Sequence, residues 1–163
     1  MISLNISKNS SLRMIRCGFN QIISLDISKN TGLKFLDCNH NRLCSLVDVS
    51  KNTSLEYLDV SCNCNTIDKL DVSNNTSFVR LNCQRNNLTS LDIIANKALE
   101  ELVCGGNQFA ELDVSSNIDL KQLYLNDMPS LYEVCVWETP FPPSEVELNV
   151  TGSPNVYFTT DCN

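Results

Sequence analysis

Leu33-Lys34-Phe35-Leu36-Asp37-Cys38-Asn39-His40-Asn41 decides the fold, because the chain writes the same pattern again and again. The order is a leucine, two free positions, a leucine, one free position, a cysteine or aliphatic, two free positions, an asparagine. Leu55, Leu58, Val60 and Asn63 repeat it, as do Phe78, Leu81, Cys83 and Asn86, then Leu99, Leu102, Cys104 and Asn107. An earlier copy is Leu12, Ile15, Cys17 and Asn20, and a worn later one is Leu120, Leu123, Leu125 and Met128. The six copies are spaced by 21, 22, 23, 21 and 21 residues. A short fixed period means stacked coils and not a closed globule. Such stacks usually present a long binding surface and bury a core only between neighbours.

Each copy carries a second half that echoes the first. After Asn41 come Leu43, Leu46, Val49 and Asn52; after Asn86 come Leu88, Leu91, Ile93 and Asn96. Alternation over four or five residues predicts short half-buried strands. Asn, Ser and Thr then turn the chain by bonding their own backbone. No long helical stripe is present. Inward positions should therefore stack at about 4.8 Å from coil to coil. Asn20, Asn41, Asn63, Asn86 and Asn107 form one predicted ladder, and Asn9, Asn30, Asn52, Asn75, Asn96 and Asn117 a second. Buried amides of this kind normally satisfy backbone groups, so both ladders read as structural.

The motif is the leucine-rich-repeat signature. The cysteine ladder (Cys17, Cys38, Cys83, Cys104) and the tag Leu-Asp-Val-Ser-x-Asn-Thr, with small changes at Leu25–Thr31, Leu70–Thr76 and Leu112–Asn117, narrow the resemblance. Together they resemble the 21-residue cysteine-ladder repeats of the internalin J type and the leucine-rich repeats of secreted surface proteins of the Bacteroidetes. The resemblance implies a right-handed leucine-rich-repeat solenoid, mostly β and turns, with a parallel β-sheet, about six coils and a C-terminal cap. It also implies an exported bacterial protein. Residues 1–127 form the expected solenoid, beginning mid-repeat, and 128–163 a degenerate last coil and cap.

The net charge of −7 disfavours nucleic acid and anionic membrane as partners, since both need clustered Lys and Arg. No apolar run is long enough for membrane insertion. Met1 leads straight into the back half of a coil, so a signal peptide is expected upstream, and the uncapped N-terminal end invites self-association. Of the nine cysteines, Cys17, Cys38, Cys83 and Cys104 are read as small buried hydrophobes, because stacked side chains keep their Cβ atoms too far apart for a disulfide. Cys135 and Cys162 are the expected disulfide, stapling the C-terminal cap. Cys44, Cys62 and Cys64 are left with the pairing open, and an odd total leaves at least one thiol free.

No cofactor or metal is expected. An aspartate recurs at Asp26, Asp48, Asp71, Asp92 and Asp113, usually two residues before a serine. Calcium loops share that rhythm, yet the sharp-turn glycine and closing glutamate are missing. Turn bonding is the plainer role. No catalytic residue is assigned. The sharpest enzyme hypothesis pairs His40 with Cys62 on the next coil, without a third group to orient either.

The informative contrast lies between monotonous and variable positions. Met14, Phe35, Tyr57, Arg80, Glu101 and Gln122 form one row between the core positions, and Arg16, Asp37, Asp59, Asn82, Val103 and Tyr124 the next. Uniform residues suit scaffolding, and diversified exposed ones suit recognition. An aromatic stripe with a polar rim is the usual composition of a binding hot spot. The expected function is a non-catalytic module at the cell surface or outside the cell that binds a protein or glycan through these rows. The alternative is a structural spacer displaying another domain.

Overall fold

The computed structural model describes residues 1–43, 47–63 and 67–162. Ten three-residue strands follow one another: β1 Met14–Arg16, β2 Phe35–Asp37, β3 Tyr57–Asp59, β4 Arg80–Asn82, β5 Glu101–Val103, β6 Glu111–Asp113, β7 Gln122–Tyr124, β8 Glu133–Cys135, β9 Glu147–Asn149 and β10 Tyr157–Thr159. Among the described residues there is no helix. The chain is a parallel-β solenoid, and its fold is that of a leucine-rich repeat.

Seven strands form one parallel sheet in the order β1-β2-β3-β4-β5-β7-β9, and three form a second in the order β10-β8-β6. The register follows the repeat. Ile15, Leu36, Leu58, Leu81, Leu102, Leu123 and Leu148 lie side by side, one per coil. All but Leu148 are buried. A three-residue strand buries at most its central side chain and one more, so each coil contributes little alone. Full burial of one leucine contributes roughly 1.5–3 kcal/mol, and stacking multiplies it along the column.

The two asparagine columns do different work. In the first, Asn41 accepts a hydrogen bond on Oδ1 from the Ile22 amide of the preceding coil (2.9 Å) and donates through Nδ2 to Cys38 O (3.1 Å) and Cys17 O (3.0 Å). Asn63, Asn86 and Asn107 repeat the donated bonds. In the second, Asn52 donates to Ile27 O (3.2 Å) and Asn30 O (2.8 Å), and Asn75, Asn96 and Asn117 do likewise. Among the described residues, the Oδ1 atoms of Asn30, Asn52, Asn75, Asn96 and Asn117 have no hydrogen-bond partner. One column couples coils in both directions, whereas the other couples them by donation alone.

Both sheets run on through the segment expected to degenerate. Strand β9 pairs with β7 in the pattern Gln122↔Glu147, Leu123↔Leu148, and β10 pairs with β8. Here Ser153 stands where earlier coils carry the turn asparagine. Its hydroxyl accepts from the Met128 amide (2.9 Å) and donates to Leu125 O (2.6 Å), the same two services by a shorter side chain. Trp137 packs edge-on to Phe141, and Phe141 leans on Phe158. Tyr157 lies half exposed, and its hydroxyl donates to Glu133 on the neighbouring strand. Cys135 and Cys162 are disulfide-bonded, with Cα atoms 5.7 Å apart.

Candidate functional site

The seven-stranded sheet places the two variable rows in exact coil-to-coil order. Met14, Phe35, Tyr57, Arg80, Glu101, Gln122 and Glu147 form the first, and Arg16, Asp37, Asp59, Asn82, Val103, Tyr124 and Asn149 the second. Strand alternation turns both rows away from the leucine column. What differs along each row is how neighbours meet. Phe35 and Tyr57 stack with ring centroids 4.1 Å apart and planes 7° apart, and the Arg16 guanidinium lies 5.0 Å from the Phe35 centroid. Further on the contacts are polar: Arg80 meets Glu101 at 3.4 Å, Gln122 donates to Glu147 at 3.1 Å, and the Tyr124 hydroxyl donates to Glu147 at 2.6 Å.

The aromatic part carries no ionised ring, whereas the polar part is built from charged and hydrogen-bonding groups. Partial burial raises the Tyr57 phenol above its usual pKa, and Asp59 and Asp37 add to the effect, so the ring stays neutral. The bond to Glu147 likewise raises Tyr124. A concavity of about 360 Å³ is lined by Arg80, Glu100, Glu101, Lys121, Gln122, Glu145 and Glu147, four carboxylates and two cations.

Two positions of the expected face are not available to a ligand. Asp59 is only 5% exposed, because Asn39 and Asn82 donate to its Oδ2 (3.3 and 3.2 Å) and the Ser61 amide and hydroxyl to its Oδ1. Val103 is 8% exposed, between Asn82 and Tyr124 on the adjacent strands. The carboxylate of Asp59 therefore braces the edge of the face.

Next to the strands runs a column with no shared residue type. Phe19, His40, Cys62, Arg85, Gly106, Asp127 and Gly152 all have φ between 47° and 78°. Left-handed backbone favours glycine, so the five side-chain-bearing members are held there by the ladder bonds on either side. The His40 amide, for example, donates to Ser61 O at 3.0 Å. Phe19 is 76% exposed and stacks on His40 with centroids 4.3 Å apart. That contact occupies the imidazole of the suggested thiol pair. Cys62 is a free, half-buried thiol, and among the described residues no hydrogen bond joins it to His40. Cys44 and Cys64, whose pairing the sequence left open, lie outside the described residues.

The ladder cysteines Cys17, Cys38, Cys83 and Cys104 are free and buried. Burial pushes the Cys17 thiol up to about 11 and Cys83 to about 12, with Asp37 and Asp59 respectively adding to the rise. Cys38 and Cys104 are raised as well, again chiefly by burial. Such thiols are packing groups, not nucleophiles. On the opposite turns, Asp26, Asp48, Asp71 and Asp113 each accept the amide of the serine two residues on, at 2.8–3.0 Å. These bonds use the carboxylate that calcium would need. Among the described residues no group of His, Cys, Asp or Glu converges to hold a metal.

The fold and the cysteine ladder have counterparts among solved structures. The functional domain of InlJ from Listeria monocytogenes, described as including a cysteine ladder, matches with a TM-score of 0.63 and 30% identity over 83% of this chain. This chain spans 36% of that domain. A leucine-rich-repeat protein of Leptospira interrogans matches with a TM-score of 0.54 at 23% identity, over 94% of this chain and 52% of that one. The ectodomain of the plant receptor kinase GASSHO1/SCHENGEN3 from Arabidopsis thaliana, solved in complex with CASPARIAN STRIP INTEGRITY FACTOR 2, matches with a TM-score of 0.58 at 17% identity. That match covers 80% of this chain and 19% of the ectodomain. No protein-family model matches the sequence, and no curated protein matches it. The chain has the fold of a leucine-rich-repeat solenoid and a cysteine ladder similar to that of InlJ.

Proposed function

We propose that this chain is a non-catalytic binding module of the cell surface or extracellular space, taking a protein ligand on the seven-stranded sheet around Phe35 and Tyr57. The observation that carries this reading is the in-register row whose side chains change from coil to coil and which includes a half-exposed aromatic pair. Aromatic residues with Arg beside them make up most binding hot spots. The Cys135–Cys162 disulfide suits an oxidising compartment. A protein ligand fits better than a glycan. Phe35 and Tyr57 cover each other's faces and Arg16 lies over Phe35, so the rings offer edges, not the open platform on which a sugar ring would lie.

The test is selection of peptide binders from a displayed library, followed by calorimetry on the wild-type chain and on a Phe35→Ala/Tyr57→Ala double variant. Affinity should fall at least tenfold, a loss of about 1.4 kcal/mol, with the melting temperature nearly kept. Unchanged affinity would place the site elsewhere. Complete absence of binders would favour the structural-spacer reading.

A further inference from the structure

The two ends of the chain differ in the sign of their charged residues, and at the seven-stranded sheet this leaves Arg13 and Arg16 beside the first strand and Glu145 and Glu147 beside the last. Residues 1–25 contain Lys8, Arg13 and Arg16 and no Asp or Glu, in a chain whose net charge is −7. Residues 122–163 contain Asp127, Glu133, Glu138, Glu145, Glu147 and Asp161 and no Lys or Arg. Between these ends the charges of the strand side are tied off coil to coil. Lys34 meets Glu56 at 2.6 Å, Arg80 meets Glu101 at 3.4 Å, and Lys121 meets Glu100 at 2.9 Å.

Among the described residues, Arg13 and Arg16 have no such partner. Arg16 lies over the Phe35 ring, and Arg13 runs along the edge of the same coil against Gly32, where a Cβ would collide with its guanidinium. Asp37, beside Arg16 in the register, has its Oδ1 engaged by the Asn39 amide. At the far end Glu145 is exposed, and Glu147 accepts from Gln122 and Tyr124 and lines the concavity.

Resting on the binding role proposed above, we infer that the ligand is an extended polypeptide segment of opposite polarity, laid along the solenoid axis across the strands. Its acidic end sits by Arg13 and Arg16, an apolar stretch next to that end on Phe35 and Tyr57, and its basic end in the concavity where Glu145 and Glu147, with Glu100 and Glu101, outnumber Arg80 and Lys121. Charge complementarity fixes direction more than it adds affinity. The dimensions agree. Seven strands span six spacings of about 4.8 Å, or about 29 Å, which an extended chain at ~3.3 Å per residue covers in about nine residues. Aromatic rims carry partial positive charge, so the edges of the stacked rings also favour the carboxylate-bearing side of such a segment.

The experiment is panning of a random nine-residue peptide display library against three proteins: wild type, R13E/R16E and E145K/E147K. Wild type should enrich peptides with Asp or Glu toward one terminus, an aromatic or aliphatic stretch next to it, and Lys or Arg toward the other. R13E/R16E should lose the acidic preference, with at least tenfold weaker binding of wild-type-selected peptides, and E145K/E147K the basic one. Circular dichroism melting keeps the result interpretable, since all four positions are on the surface and the folds should persist. Peptides without polarity, or binding indifferent to both reversals, would overturn the inference. If such peptides still lost affinity to F35A/Y57A, the binding face would stand and only its ligand chemistry would fall. Preferential capture of glycans on an array by the wild-type chain would overturn it as well.

Discussion

On one side of the coils the chain says nearly the same thing each time, and on the other neighbouring coils mostly differ. The turns at Asp26, Asp48, Asp71 and Asp113 are copies, each a carboxylate closed by the serine amide two residues on. The strand row at Met14, Phe35, Tyr57, Arg80, Glu101 and Gln122 joins its members by an aromatic stack in one place and an ion pair in another. The difference follows from what each position must satisfy. Turn and ladder residues answer backbone groups, which are identical in every coil. Strand-face residues answer only their neighbours and solvent, so any residue that fits a pleated surface serves, and variation is free to follow a ligand.

The sharpest contrast is chemical. A thiol with a pKa of about 12, as at Cys83, is only about one part in 10,000 thiolate at pH 8. Iodoacetamide labelling of the native protein, mapped by mass, should modify Cys62 and leave Cys17, Cys38, Cys83 and Cys104 intact until denaturant is added. Native labelling of the ladder thiols would mean that the core opens locally.

Next in size are the columns. Leu58→Ala, in the middle of the stack and fully buried, should cost about 3–5 kcal/mol in urea unfolding. Asn52→Ala strips two carbonyls of their donor and should cost about 2–3 kcal/mol. Asn41→Ala also strips the Ile22 amide of its acceptor and should cost more than Asn52→Ala. Equal losses would show that the two asparagine ladders do not differ as their bonding does. By contrast, Tyr57→Ala on the strand face should cost about 1 kcal/mol, the scale of a lost aromatic pair, while weakening any ligand far more.

The smallest effect is in acid. The serine hydroxyls, and next the serine amides, hold Asp26, Asp48 and Asp71 below the usual carboxylate pKa. A depressed folded pKa contributes stability that is fully present above the unfolded value near 3.9 and is lost as pH falls through the folded one. Melting of a D26N/D48N/D71N triple variant should therefore depend less on pH below about 4 than the wild type. An identical slope would assign acid sensitivity to other carboxylates.

The columns and their register were legible because a fixed period with leucine at its inward positions admits few other arrangements. So was the role of the turn aspartates, from their distance to serine. Three things were hidden. Between Leu123 and Leu148 the spacing grows to 25 residues around Pro140–Pro143, and Ser153 replaces asparagine, so the period fades while its hydrogen bonds persist. The left-handed column has no common residue, and only Gly106 and Gly152 hint at it. The burial of Asp59 depends on amides from Asn39 and Asn82, one on each side, a coincidence of three coils that no single repeat contains.

The most direct measurement is a saturation scan of the displayed protein under protease, scored for folding alone. Intolerant positions should recur every 21–23 residues at the leucine, cysteine and asparagine columns, while Met14, Phe35, Tyr57, Arg80, Glu101 and Gln122 accept most substitutions. If that row proved as intolerant as Leu36, Leu58 and Leu81, the division between a uniform scaffold and a free binding face would be contradicted.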